Sequence, residues 1–330
     1  MNYIITGGSG FIGTHLTNLI LEAEPQARVY NLDIVEPGTP NHQAKKCGKT
    51  GATFIKQDVR EPIGDLPFTP TPDDVIFNFA AIHRTPGHPD HAYFETNIRG
   101  AENITAFAAR HGIRKIVFTS SIAPYGASEE LKHEETLPMP NTPYGISKLV
   151  AEKIHEKWQA VDPDNRLLVI LRPGIVFGLC EGGNFTRLYW SIRKRKFFYA
   201  GRKDTIKACI YVKDLVRFML SRLAQGSGCE LFNCTYEPAF TIEQICDSII
   251  RTTQLHRTIY LMPVWLLMPA AYMAAAIGSP LGICPARVRK IMVSTNICGA
   301  RMAQTGFRMK YSLDDAIADW LADSGGSGLF

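Results

Sequence analysis

The sequence lacks the cysteine patterns that mark metal sites. It has eight cysteines, but they form no Cys-x-x-Cys pair and no His/Cys cluster with metal-ligand spacing. The cysteines stand at positions 47, 180, 209, 229, 234, 246, 284 and 298. We interpret them as unpaired thiols in a reducing compartment and expect a cytoplasmic protein. The first apolar run begins at residue 2, and we therefore expect no signal or transit peptide.

Strong charge of either sign is also absent. The formal net charge is +5 over 330 residues, which suits a partner that carries phosphates but does not require nucleic acid. With 45% hydrophobic and 20% charged residues and no internal repeat, the chain has the composition of a globular protein. Its length allows one large core and a smaller second lobe.

An uninterrupted apolar run long enough to cross a membrane is missing as well. Residues 258–286 contain no charged side chain, but prolines and glycines divide them. A membrane helix needs about 20 consecutive apolar residues. We expect a helix pair here that is buried or lies in a protein interface. The less favoured alternatives are a patch lying on a membrane surface and a true membrane span.

The chain is organised around a glycine-rich turn near its start. An apolar run at residues 2–6 favours a strand, and a helical pattern follows the turn. Gly7 allows a sharp turn out of the strand, Gly10 lets a diphosphate approach the backbone, and Gly13 lets the helix pack closely on the sheet. The start of the helix offers free N–H groups and a positive dipole end to that anion.

Two acids follow the next strand patterns. Residues 28–33 end in Asp33, about 20 residues after Gly13, where an acid binds the ribose of a dinucleotide. Asp58 comes just after the strand pattern of residues 53–56. For Asp58 a ligand contact and a helix N-cap or surface turn both remain open.

Alternating strand and helix patterns decide the fold class. They predict a doubly wound parallel α/β sheet (Rossmann) with a smaller C-terminal substrate lobe. The predicted NAD-binding Rossmann domain covers residues 1–173 and returns to the sheet at about 208–237, and the substrate-binding lobe covers 174–207 and 238–330. Within the return, Ile210–Val212 and Leu231–Cys234 are expected strands. A last helix is expected at residues 312–321, capped by Ser312 and followed by a flexible tail, residues 324–330.

Tyr144 and Lys148 are the first candidates for catalysis. They are four residues apart after Pro143, which favours the start of a helix, so they share one helix face. A free phenol has a pKa of about 10, too high for a base at neutral pH, and we expect the Lys148 ammonium to lower that of Tyr144. The alternative is an ordinary helix with an exposed lysine and a half-buried tyrosine.

Ser121 is the third candidate. It lies just after the strand pattern of residues 115–119, at the edge of the sheet where ligands bind. A hydroxyl there can bond a substrate oxygen that gains or loses a proton, and the alternative is a serine-rich turn.

Together these residues resemble the extended short-chain dehydrogenase/reductases, of the NAD-dependent epimerase/dehydratase kind that acts on nucleotide sugars. The resemblance runs from Tyr3 to about Leu321. It rests on Thr6–Gly13, Asp33, Asp58-Val59, Phe79–Ala81, Asn97, Thr119–Ser121, Tyr144-x-x-x-Lys148, Leu171–Pro173 and Ile210–Asp214.

The resemblance implies a role for each matching residue. Tyr144 would be the acid/base, Lys148 its pKa partner and a ribose ligand, and Ser121 the hydroxyl that binds the reacting sugar oxygen. Asp33 would favour NAD over NADP. The cofactor-binding residues implied are Gly7, Gly10, Phe11, Ile12, Gly13, Asp33, Asp58, Val59, Ala80, Ala81, His83, Asn97, Tyr144, Lys148 and Pro173. The substrate-binding residues implied are Ser121, Asn184 and Lys207.

The sequence also departs from the family pattern. His83 stands where sugar 4-epimerases often have a lysine, and Lys207 stands where the family has an arginine. Ser121 is followed by Ile122 and Ala123 instead of the Asp-Glu pair of dehydratases, which argues against a 4,6-dehydratase. For the basic run of residues 193–196, together with Arg202, Lys203 and Lys207, we expect one or two side chains to meet a substrate diphosphate and most of the others to form a solvated face.

We therefore expect an NAD-dependent nucleotide-sugar epimerase in polysaccharide biosynthesis. It would act at C4 through a transient 4-keto intermediate, with Tyr144 as acid/base. An NAD-dependent dehydrogenase/reductase of a nucleotide sugar or a sterol-like alcohol is the alternative, and a non-catalytic NAD sensor is a third. The resemblance suggests a homodimer, and neither a metal nor nucleic acid is expected as a ligand.

Overall fold

A seven-stranded parallel sheet forms the centre of the molecule. The computed structural model describes residues 1–39, 51–83, 87–276 and 292–330. The strands of the sheet are β1 (Asn2–Thr6), β2 (Arg28–Asp33), β3 (Thr53–Lys56), β4 (Val75–Asn78), β5 (Lys115–Thr119), β7 (Leu167–Pro173) and β12 (Cys229–Cys234). They have the order β3-β2-β1-β4-β5-β7-β12, and every neighbouring pair is parallel. The strand order reverses between β1 and β4, which opens a crevice at their carboxyl ends.

Helices cover both faces of this sheet. Ile5 faces a core that includes α1 (Phe11–Ala23) and α5 (Val212–Gln225). Ile4, the preceding residue, faces the opposite core with α2 (Asp90–Arg110) and α3 (Pro143–Ala160). Burial on both faces explains why the central strands are continuous apolar runs. The prediction of a doubly wound α/β sheet is confirmed.

The rest of the chain forms smaller sheets and a separate aromatic core. The remaining strands are β6 (Ser128–Lys132), β8 (Ile175–Phe177), β9 (Tyr199–Ala200), β10 (Ile206–Lys207), β11 (Cys209–Tyr211), β13 (Phe240–Thr241), β14 (Leu261–Met262) and β15 (Thr295–Ile297). Four of them form a sheet with the order β13-β10-β15-β6, and two-stranded parallel sheets join β8 to β11 and β9 to β14. The helices are α4 (Asn184–Arg193), α6 (Ile242–Thr252), α7 (Val264–Ala276), α8 (Ala300–Gln304) and α9 (Leu313–Asp323). The core of this part of the chain is rich in aromatic side chains, among them Phe177, Phe185, Tyr211 and Trp320.

Local sequence signals explain where several helices begin. Thr142 caps α3 by accepting a hydrogen bond from the N–H of Gly145, and proline follows at the first helical position. Ser312 caps α9 as expected, in a reciprocal capping box with Asp315. Thr241 caps α6 in a reciprocal capping box with Gln244. Each cap satisfies N–H groups that a helix start would otherwise leave unpaired.

Several expectations need correction. The strand expected at residues 210–212 ends at Tyr211, because Val212 is the first residue of α5, and β6 was not predicted. The tail is not a flexible end: Leu329 is fully buried, and the carbonyl of Phe330 accepts hydrogen bonds from Trp320 Nε1 and from the N–H of Cys180.

The expectation of unpaired thiols is wrong for Cys180, which is disulfide-bonded. The thiol argument for a reducing compartment therefore loses part of its basis. Residues 40–50, 84–86 and 277–291 lie outside the described residues, and with them Cys47, Cys284 and the end of the uncharged segment 258–286. Among the described residues, no helix has the length and apolar character needed to cross a membrane.

Candidate active site

The glycine-rich turn holds β1 and α1 against the neighbouring strand end. Gly7 has a φ of +73°, and a Cβ there would lie 2.6 Å from the backbone nitrogen of Ala80, after β4. A Cβ on Gly13 would lie 2.6 Å from the Cα of Gly8. Side chains at these positions would push apart the loop, the strand end and the helix. The two glycines therefore serve close packing, as their spacing predicts.

The start of α1 has the features of an anion site. Its N-cap is Gly10, which supplies no capping side chain, and its first helical hydrogen bond runs from the N–H of Thr14 to the carbonyl of Gly10. The N–H groups of Phe11, Ile12 and Gly13 precede that bond and point out of the helix. A Cβ on Gly10 would meet the carbonyl oxygen of Gly7 at 3.1 Å and otherwise open space among the described residues.

Asp33 stands at the carboxyl end of β2 beside this turn. Its Oδ2 accepts a hydrogen bond from the N–H of Ser9 at 3.1 Å, and its Oδ1 accepts one from Val35 at 3.0 Å. These bonds fix the carboxylate at the carboxyl end of β2, where an acid is expected to meet the ribose of a dinucleotide. The glycine cradle, the helix start and the fixed acid together fit a dinucleotide.

The second half of the crevice holds Ser121 and Tyr144 together. Backbone hydrogen bonds tie the chain after β5 to β7, from the N–H of Ser120 to Leu171 and from Ile122 to Pro173. The Ser121 hydroxyl accepts a hydrogen bond from the N–H of Ala123 at 3.1 Å, and it lies close enough to the phenol of Tyr144 to act on the pKa of that phenol. A sugar oxygen placed here would meet two groups able to exchange a proton.

The acid/base pair differs electrostatically from the expectation. Burial raises the pKa of Tyr144 to about 12, although the nearby Ser121 hydroxyl works in the opposite direction. Burial also lowers the pKa of Lys148 to about 7, which the negative charge of Glu152 partly opposes. The prediction of a lowered phenol pKa is therefore wrong. Loss of solvation dominates both groups, and a lysine with a pKa of about 7 carries only part of its charge near neutrality.

Lys148 is held under the site by an aromatic layer that sequence reasoning missed. Its Nζ lies 4.3 Å from the centroid of the Phe118 ring. His155 stacks on the same ring at 4.3 Å, and burial lowers the pKa of that histidine to about 4, so it is neutral near pH 7.

A buried ion pair beneath the catalytic residues was also missed. Glu152, one helical turn after Lys148, accepts two hydrogen bonds from the Arg172 guanidinium, at 2.9 and 2.6 Å, and both side chains are almost fully buried. The hydroxyl of Ser120 donates to the same carboxylate. The sequence signal that could have predicted this pair was Glu152 itself, an acid on the apolar face of α3, four residues after Lys148.

Other predicted cofactor residues lie around the same edge of the sheet. Asn97 is buried and donates hydrogen bonds to Ser147 on α3 and to the carbonyl of Ile82, after β4. Val59 is buried under Gly100. Asp58 forms a bidentate pair with Arg60 and accepts a hydrogen bond from the N–H of Arg60, as in a surface turn. Ala80 and Ala81 follow β4, His83 is exposed beyond them, and Pro173 ends β7.

The predicted substrate residues outside the crevice have partners of their own. Asn184 begins α4, and its Oδ1 accepts a hydrogen bond from Arg187. Lys207 lies in β10, and its ammonium donates to the carbonyl of Val293 at 2.8 Å. Their roles toward substrate stay predictions.

The fold and this constellation define a Rossmann-type dinucleotide enzyme with a Ser-Tyr-Lys set at the strand ends. The model of the NAD dependent epimerase/dehydratase family matches residues 3–234. The chain belongs to that family, and NAD is its cofactor.

Relatives with assigned names agree with this class. The chain is 26% identical over 321 residues to N-acetyl-alpha-D-glucosaminyl-diphospho-ditrans,octacis-undecaprenol 4-epimerase of Escherichia coli O157:H7, covering 96% of this chain and 93% of that protein. It is 31% identical to UDP-glucose 4-epimerase of Halalkalibacterium halodurans, over 47% of this chain and 45% of that one.

Solved structures share the whole fold. The NAD complex of UDP-glucuronic acid 4-epimerase from Bacillus cereus superposes with a TM-score of 0.72 at 20% identity, covering 98% of this chain and 99% of that one. The NAD complex of UDP-glucose 4-epimerase from Thermus thermophilus gives a TM-score of 0.72 at 17% identity, with 99% and 100% coverage.

Proposed function

We propose that this enzyme epimerises C4 of a hexose carried on a nucleoside diphosphate. The observation that carries the proposal is the closeness of the Ser121 hydroxyl to the Tyr144 phenol, with Lys148 one turn along α3, beside a cradle that fits NAD. Ile122 and Ala123 offer no carboxyl groups for loss of water, which supports epimerisation over dehydration.

The chain's own residues supply binding and proton transfer. When bound, NAD supplies hydride acceptance at the sugar carbon and return of the same hydride. Ser121 Oγ would hold the sugar hydroxyl, and Tyr144 Oη, as phenolate, would accept its proton and later return it. Burial, which raises the pKa of Tyr144 to about 12, opposes formation of that phenolate, and the positive charge of a bound nicotinamide would favour it. Gly7, Gly10, Asp33 and Lys148 would bind the cofactor.

A second carrier has support of its own. The relative that covers 96% of this chain is named for a sugar on an undecaprenyl diphosphate. A sugar on a polyprenyl diphosphate presents the same hexose and the same diphosphate, so the proposed chemistry is unchanged and only the carrier differs.

The first test identifies the nucleotide that copurifies and then follows the sugar. Denaturation should release near-stoichiometric NAD. Incubation in deuterated water with UDP-glucose, UDP-N-acetylglucosamine or the polyprenyl-linked sugar should interconvert the C4 epimers of one of them. No net NADH should appear and C4 should gain no deuterium, because the hydride is recycled. Stoichiometric NADH formation would instead establish the dehydrogenase alternative.

Removal of the phenol oxygen tests the assigned acid/base. Tyr144→Phe should retain NAD and the native fold but lose turnover by about 10²–10⁴-fold, the usual contribution of a positioned acid/base. Tyr30→Phe is the matched control, since Tyr30 stacks on Phe68 away from the crevice. Near-normal turnover in Tyr144→Phe would remove this residue from the mechanism.

A further inference from the structure

Helix α7 is apolar on all sides and yet lies at the surface. Its sequence, VWLLMPAAYMAAA, contains no charged residue. Helices of this composition are normally buried. Here the side chain of Trp265 is 76% exposed, that of Met273 is 65% exposed, and Leu266 is also exposed. A patch of this kind marks an interaction site.

The opposite side of α7 fixes the helix to the protein. Leu267 and Ala271 are buried and pack with Met262 of β14, Ala200 of β9 and Met292. This contact holds α7 in place, so Trp265 and Leu266 present their apolar surface outward from a supported element.

Further exposed apolar side chains lie at one end of the β9–β14 pair. The strands are parallel, with Leu261 opposite Tyr199, and the N–H of Tyr199 donates to the carbonyl of Tyr260. The residues just before each strand therefore lie side by side. They are Phe198 and Tyr260, and the side chain of Tyr260 is 75% exposed.

Positive charge adjoins this apolar surface. The exposed run Arg193–Lys196 ends three residues before Tyr199, and Arg193 and Lys194 lie over the Trp190 ring at 5.0 and 5.7 Å. Acidic residues are rare in the surrounding sequence: no Asp or Glu occurs between Glu181 and Asp204, or in residues 248–313, and Glu243 and Asp247 of α6 are the acids that act on Tyr199. We call the exposed side chains of 193–196, Phe198, Tyr260, Leu261, Val264, Trp265, Leu266 and Met273 the basic-aromatic surface.

We infer that the basic-aromatic surface binds the surface of an anionic lipid bilayer. Tryptophan, tyrosine and aliphatic side chains enter the headgroup region, and nearby lysines and arginines are attracted to anionic lipids. With 13 residues α7 is about 20 Å long, shorter than the roughly 30 Å hydrocarbon core, so it would lie along the membrane. A symmetric contact between two copies would instead bring the same basic runs together.

This inference concerns a surface outside the crevice and stands independently of the proposed reaction. It suits a sugar whose diphosphate carrier is a membrane lipid, because an enzyme on the bilayer surface would meet that substrate in its own plane.

Vesicle flotation of the full chain tests the inference. The protein should float with vesicles of phosphatidylglycerol and phosphatidylethanolamine, bind vesicles of phosphatidylcholine at least about tenfold more weakly, and be released by salt. Trp265→Ser/Leu266→Ser and Arg195→Gln/Lys196→Gln should each reduce binding to the anionic vesicles at least about tenfold. Leu137→Ser and Arg114→Gln are matched controls in other exposed segments and should bind as the parent does.

Three outcomes would overturn the inference. The first is no binding to anionic vesicles, and the second is equal binding by the parent and by Trp265→Ser/Leu266→Ser. The third is a concentration-dependent dimer that this variant abolishes, with no vesicle binding, which would assign the surface to a second copy. Circular dichroism and retained NAD establish that each variant is folded. Because flotation requires no turnover, absence of epimerase activity would leave this result unaffected.

Discussion

Lys148 couples the catalytic site to stability because its charge is buried. Burial lowers the pKa of Lys148 from 10.5 to about 7, so between these values the unfolded chain binds a proton that the folded protein does not. Stability must therefore rise with pH across this window. We expect the titration of Lys148 to raise the unfolding free energy by about 1 kcal/mol between pH 7 and pH 8. Urea unfolding of the parent and of Lys148→Met, at equal NAD content, measures the difference.

Subtracting the unfolding free energy of Lys148→Met from that of the parent cancels the titrations that the two proteins share. The difference in unfolding free energy between the two proteins should slope upward with pH, and a flat difference would show that the ammonium is solvated. Lys153, on the same helix and exposed beside Glu156, supplies the control. Lys153→Met should give a difference that is nearly independent of pH.

Residue spacing along the chain could predict which side chains share a site, but not their pKa values. Tyr144 and Lys148 are one helical turn apart wherever that helix packs, and the structure places the phenol against Ser121, the serine chosen from the sequence. The depth of burial that raises the pKa of Tyr144 comes from tertiary packing. No local pattern records it, so the expected direction was wrong.

At the scale of secondary elements, the Glu152–Arg172 pair ties α3 to β7 and, through Ser120, to the end of β5. Removing one partner leaves the other charge buried, which costs about 3–5 kcal/mol. Glu152→Gln should therefore lower the unfolding free energy by about that amount and also reduce turnover, because Ser121 follows the displaced Ser120. Denaturant titration and the epimerase assay measure the two effects.

The exposed Lys153–Glu156 pair on the same helix shows what the loss of a carboxylate charge costs where the carboxylate is not buried. Glu156 bonds Lys153 at the surface, and Glu156→Gln should change stability by less than about 1 kcal/mol. A similarly small effect of Glu152→Gln would mean that the buried carboxylate does not stabilise the strand ends.

Element order could be predicted because most strands and helices of the main sheet carry their own periodicity. β6 is different: its five residues, SEELK, are largely exposed and charged, and it pairs with β15 more than 160 residues later. Partners so distant leave no local signal. β11 was predicted one residue too late, at residues 210–212 instead of Cys209–Tyr211, because the apolar Val212 fits the start of α5 as well as the end of a strand.

At the scale of the whole molecule, the C-terminal tail shows where composition misleads. Its glycines and serines suggested flexibility, yet Leu329 is fully buried in the aromatic core, and the Phe330 carbonyl accepts hydrogen bonds from Trp320 and from the backbone of Cys180. The glycines allow positive φ values, including 133° at Gly328, that bring the tail back onto α4. The tail therefore completes the aromatic core through Leu329, although its composition predicted a flexible segment.

Leu329 should therefore contribute as a core residue despite its place near the end of the chain. Leu329→Ala should lower the unfolding free energy by about 2–5 kcal/mol, as for other buried leucines, because the cavity would open beside Trp320. Leu137→Ala, at a side chain that is 78% exposed, is the matched control and should change stability by less than about 0.5 kcal/mol. Thermal and urea unfolding followed by tryptophan fluorescence compare the two. Equal, small effects would return the tail to the flexible segment that its composition suggests, whereas a large loss at Leu329 alone would show that the tail is an integral part of the second core.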